Sequence, residues 1–171
     1  MVVPHRVARR RAPDDGGGWQ SGEVTDGTAA LLVDPSDLDA VGVLGDAVLA
    51  LRHHALVEGA AAIATVAAPE GWHRVVLTCQ PGGHTVVAVR YGDLTRSRAN
   101  NVGTWLERRG WQVDEDGGGA RRRLPPGTDA TTVAMDVLAV VTAAGAPADP
   151  RTVSAIDADG APVDLRGLPG G

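Results

Sequence analysis

Three short runs between residues 61 and 91 alternate apolar and polar positions, and Pro and Gly turns separate them. A period of two bounded by turn residues predicts an antiparallel meander. Ala61 to Ala67, with Ile63, Thr65 and Val66, is the first strand, bracketed by Gly59 and Pro69. Arg74 to Gln80 is the second: Val75, Leu77 and Cys79 share one face, and Arg74, Val76, Thr78 and Gln80 share the other. The turn Pro81-Gly-Gly-His84 leads into Thr85 to Tyr91, whose inner face is Val87, Val89 and Tyr91.

Helical spacing governs three other stretches. Ser36 is placed to cap a first helix, with Asp37 and Asp39 in its first turn and Leu38, Val41, Val48 and Leu49 as its apolar stripe, ending near Arg52. A second helix over Asp93 to Arg109 carries Leu94, Val102 and Leu106 inward and stops at Gly110. Trp111 to Val113 and Arg121 to Leu124 then form a hairpin across Asp114-Glu-Asp-Gly-Gly-Gly119, in which acid on one limb faces Arg121-Arg-Arg123 on the other. Thr128 or Asp129 caps a third helix with Val133, Val137, Val141 and Ala144 as its stripe, and Pro147 and Pro150 forbid its continuation. Thr152 to Asp157 reads as a closing strand that turns at Asp159-Gly160.

The fold class is therefore α+β, an antiparallel sheet with helices packed on one face. The element order is α-β-β-β-α-β-β-α plus a short C-terminal strand. One domain over residues 31–164 is expected. The Arg- and Gly-rich residues 1–30 and residues 165–171 offer too little apolar area to offset chain entropy and read as disordered tails.

Composition narrows the function classes. With 43% apolar residues, no Phe and four Trp, the core consists of small aliphatics with Trp as its large pieces. A net charge of -5 argues against a general nucleic-acid or anionic-membrane surface. The single cysteine cannot form an internal disulfide, no run approaches the ~20 apolar residues of a membrane span, and the N-terminus has no secretion signal, so the cytoplasm is the expected compartment.

No stretch carries a catalytic signature. Cys79 alternates with Val75 and Leu77, which favours a buried, inert thiol over a nucleophile. His53, His54, His73 and His84 lack ligand spacing and read as solvated helix-end and turn residues; an enzyme built on His53, His73, His84 and Cys79 is the alternative. The Gly triplets at 16–18 and 117–119 lack the strand-loop-helix context and the Lys of a phosphate loop, and the Asp114 to Asp116 run lacks calcium-loop periodicity. The Arg9 to Arg11 and Arg121 to Arg123 runs have no interleaved aromatics for base stacking. Trp105 and Trp111 flank the second helix stop, where one or both anchor a partner, with core filling the default fate of Trp105.

The order of elements resembles the class I type III secretion chaperones, the Tir-chaperone-like group, and the related YbjN-like domains abundant in actinobacteria. The residues that carry the likeness span roughly 36 to 160. They are the meander with Leu77-Thr-Cys-Gln80, Asn100-Asn101, Leu106-Glu-Arg-Arg-Gly-Trp111, Leu124-Pro125-Pro126 and Ala148-Asp-Pro150. The resemblance implies a domain that is not an enzyme, needs no cofactor or metal, forms homodimers and holds a partner-protein segment on apolar patches. Val76, Val86, Trp105 and Trp111 are the expected partner-binding residues, with Val76, Val86 and Trp111 exposed.

Overall fold

The structure is a computed structural model that describes residues 30–68, 73–92, 94–144 and 150–166. Most of both expected tails, the turn at 69–72 and residues 145–149 with Pro147 lie outside the described residues. Among the described residues seven antiparallel strands form one open sheet, and three helices accompany it. In chain order the elements are β1 (Leu31–Val33), α1 (Ala40–Glu58), β2 (Ala62–Ala67), β3 (Arg74–Cys79) and β4 (Thr85–Arg90). They continue as α2 (Arg96–Glu107), β5 (Gln112–Val113), β6 (Gly119–Leu124), α3 (Ala130–Ala143) and β7 (Arg151–Ile156). Across the sheet the strands run β1-β7-β2-β3-β4-β6-β5.

The α+β class, the meander and the β5–β6 hairpin stand as the alternation predicts, but the other end of the sheet differs. β1, unforeseen because three residues carry no readable period, pairs Leu31–Val33 with Val153–Arg151. β7 is internal: it lies between β1 and β2, with Ile63 opposite Ile156 and Val66 opposite Val153. A strand contributed from the far end of the chain closes the core, which local pattern cannot reveal. The chain beyond it buries Val163 and Leu165 and returns a hydrogen bond from Val163 N–H to Ala155 O at 3.0 Å.

The first helix starts later and ends later than the pattern suggests. Ser36 is not its cap, because the Ser36 N–H and Oγ both donate to Asp34 Oδ1, closing an Asx turn that satisfies the backbone before any helix begins. α1 opens at Ala40, Leu38 is left fully exposed at 101% and Leu49 is exposed as well. The helix runs to a left-handed Gly59 with φ 64°. It is also longer in apolar content than the sequence reading allowed: its most apolar 18 residues have mean hydropathy 1.3, enough by length and composition to cross a bilayer. Leu44, Ala47, Val48, Leu51 and Ala55 instead pack into the core beside α3 and the sheet.

The other helix boundaries follow capping chemistry. Asp129 caps α3, accepting the Thr132 N–H at 3.2 Å. α2 ends in a left-handed Gly110, φ 79°, while the Trp111 N–H donates to Leu106 O five residues back. That pattern is a Schellman stop, in which the residue after the glycine folds back onto the last helical turn.

One face of the sheet is sealed. Ala62, Ala64 and Val66, Val75, Leu77 and Cys79, Val87 and Val89, and Val153 and Ala155 all project into one core with Leu44, Leu51, Leu106, Val133, Val137 and Val141 of the helices. The registers keep these residues level from strand to strand, so the opposite set must lie together on the other face.

Candidate functional site

That other face is a continuous surface with no described element packed on it. Three rows cross it. Ile156, Ile63, Thr78, Val86 and Arg123 form one, and Ser154, Thr65, Val76, Ala88, Arg121 and Gln112 the next. Thr152, Ala67, Arg74 and Arg90 form the third. Along the central strands Ile63, Thr65, Val76, Thr78, Val86 and Ala88 are half-buried by their neighbours alone, and Ile156 is 45% exposed. Branched apolar side chains facing outward in the middle of a sheet leave a patch that water covers poorly.

Charge is distributed unevenly around that patch. Arg74 and Arg90 bound it at one end of β3 and β4, Arg121 and Arg123 bound it on β6, and all four are exposed. Arg90 meets Asp114 at 3.3 Å, and Arg121 donates its Nε–H to Gln112 Oε1 at 3.2 Å. The expected pairing of acid and arginine across the β5–β6 hairpin is thus corrected. Asp114 reaches across to β4, and Arg122, which points to the helix side, binds Asp136 of α3 at 2.9 Å through both carboxylate oxygens. Alternation along β6 separates the three arginines of the run, sending the middle one inward and its neighbours outward.

Val76 and Val86 lie on this open face, two residues apart in register across β3 and β4 and so diagonal neighbours. The two tryptophans exchange their expected fates. Trp111 is 5% exposed and part of the core, because the Schellman stop turns it back under α2; it is not an exposed anchor. Trp105 is the half-buried one, flanking the inward pair Val102 and Leu106, with the Arg109 guanidinium stacked 3.7 Å from its ring centre. It lines a groove of about 500 Å³ between α2 and α3 with Val102, Ala139 and Ala143.

The residues of the enzyme alternative are dispersed in role. Cys79 is wholly buried, its Sγ 3.8 Å from Thr85 Oγ1, and burial pushes the thiol up. His53 is exposed on α1. His73 corrects its reading as a solvated turn residue: it is 1% exposed, and burial first and the Arg151 charge second hold its imidazole down at about 4. Its parity with Val75, Leu77 and Cys79 was the missed signal, since β3 extended backwards by one residue sends position 73 inward. Among the described residues no group of three or more His, Cys, Asp or Glu is placed to hold a metal ion.

Arg52 shows what the buried polar groups beside Cys79 do. Its Nε and Nη2 donate to Thr85 Oγ1 at 3.1 and 3.0 Å, and Nη1 donates to Thr128 O at 2.6 Å, tying α1 to β4 and to the turn before α3. Such a fork is a strut, because every hydrogen bond ends on the fold itself. Arg52→Met, which keeps the stem and deletes the fork, is expected to lose about 1.5–3 kcal/mol in urea unfolding; an unchanged midpoint would show that the fork carries no load.

No family model, no curated protein and no solved structure matches the chain.

Proposed function

We propose that the protein is a non-enzymatic chaperone-like or adaptor domain of the cytoplasm that holds a segment of another protein against its open sheet face. One observation carries this reading: all three helices take part in a single core with one face of the sheet, while Ile63, Val76, Val86 and Ala88 lie on the opposite face beneath no described element. Contiguous apolar surface of that kind marks interaction sites. The dispersal of His53, His73, His84 and Cys79 among exposed, buried and strand-end positions supports the same side of the choice between binding and catalysis. The likeness to small α+β secretion chaperones agrees with it, on the order of elements alone.

Because the chain contains no lysine, amine cross-linkers have little to attack, and a photoreactive residue is the suitable probe. Benzoylphenylalanine in place of Thr78 on the open face should yield defined covalent adducts in the native cell, and the same residue in place of the exposed Thr131 of α3 should not. Adding Val76→Ser and Val86→Ser should remove those adducts while the protein remains folded by circular dichroism, at a cost of about 1–2 kcal/mol for two half-buried strand positions. Equal labelling from both positions, or none from Thr78, contradicts the reading.

A further inference from the structure

We infer that the segment received by the open face is acidic, an extended stretch that presents carboxylate and apolar side chains on the same side; the inference rests on the partner-binding reading above. Four exposed arginines border the apolar centre, and among the described residues their one ion pair is that of Arg90 with Asp114. The chain as a whole carries -5, so this face is a cationic island on an acidic protein. A complementary field of that kind selects partners by sign and hastens their encounter.

The chemistry also separates the candidate occupants. Nucleic acid would engage the arginines through phosphate, but the face presents isoleucine, valine, threonine and alanine where single-strand binders present aromatic platforms. A second copy of this chain, stacked face to face, brings four further arginines and one Asp114 to the same surface. An extended segment that carries apolar and carboxylate groups on one and the same side satisfies both features at once, because the apolar groups cover Val76 and Val86 while the carboxylates reach Arg121 and Arg123 at the border of the patch.

The test uses the full chain and fluorescence anisotropy with labelled synthetic peptides of about 10 residues, roughly 33 Å when extended. One repeats two glutamates and two valines, so that each side of the extended peptide carries both, a second has lysine for glutamate, a third serine for valine, and a single-stranded RNA of similar length is a fourth probe. Binding of the glutamate–valine peptide at least tenfold tighter than of the other three is expected. So is a loss of tenfold or more on Arg121→Glu with Arg123→Glu, on Val76→Ser with Val86→Ser, and between about 0.1 and about 0.5 M salt. All four substituted residues are exposed or half-buried, and circular dichroism verifies that each variant is folded. Equal or tighter binding of the lysine–valine peptide or of RNA, or no binding of any probe, overturns the inference. Adducts at Thr78 in the cell would survive such a failure, which separates it from a failure of the partner-binding reading itself.

Discussion

Leu51→Ala should cost about 2–5 kcal/mol of folding stability, whereas Leu56→Ala on the same helix should change it by no more than about 0.5 kcal/mol. Leu51 is 1% exposed, locked in the core on the side of α1 that faces α3 and the sheet; Leu56 is 67% exposed. Truncating the first removes three heavy atoms from a close-packed interior and leaves a cavity that the surrounding valines and alanines are too short to fill. Truncating the second removes apolar area from water. Urea denaturation of both variants measures the difference directly, and similar losses from the two would mean that α1 buries a different face.

Acid lability is the second large effect. His73 holds its proton at about 4 in the folded protein because burial and the Arg151 charge oppose the imidazolium, while the unfolded chain takes up the proton near 6.5. The native state therefore binds fewer protons than the unfolded state between these values, so stability is full above about pH 6.5 and falls as pH drops toward 4. The shift corresponds to about 3 kcal/mol once pH is below the folded value. Carboxylates titrate in the lower part of this window too, so the informative quantity is the difference between wild type and His73→Leu. The wild type should lose about 3 kcal/mol more than the variant between pH 7 and pH 4. Parallel pH profiles would show that His73 is not the buried neutral group described.

Legibility in the sequence followed the range of the interactions involved. The meander was readable because each strand alternates and each connection is a glycine or proline turn, so the inward set of Val75, Leu77, Cys79, Val87, Val89 and Tyr91 is written locally. The Gly110 stop was readable for the same reason, and the cap of α3 was narrowed to Thr128 or Asp129, of which the fold uses Asp129: each depends on atoms within five residues. What resisted was non-local or ambiguous in local chemistry. β7 occupies the middle of the sheet through pairing with β2, which ends more than 80 residues earlier, and no window of sequence contains both partners. Ser36 satisfies the template for a helix cap and for an Asx turn with Asp34, and the fold uses the second.

The candidate site was half legible. Val76 and Val86 fall on the outward parity of strands whose inward parity is already apolar, so their exposure follows once a single helical layer is assumed. The tryptophans were misread because a Schellman stop buries the residue after its glycine, a consequence of main-chain geometry and not of hydrophobic spacing. The placing of the arginines required the register, since Arg74 lies opposite Arg90 on β4, and Arg121 and Arg123 come to the same face only through the pairing of β6 with β4.

Everything proposed for function requires that β3 have one sealed face and one accessible face. Thr78→Cys tests this with the native Cys79 as its internal reference, because the two adjacent thiols then project to opposite sides of one strand. Reaction of the folded variant with a thiol reagent should consume one equivalent rapidly, at position 78, and a second only at the rate of unfolding, at position 79. Two thiols that react together, or two that are both protected until the protein unfolds, would contradict an open outer face and the binding role built on it.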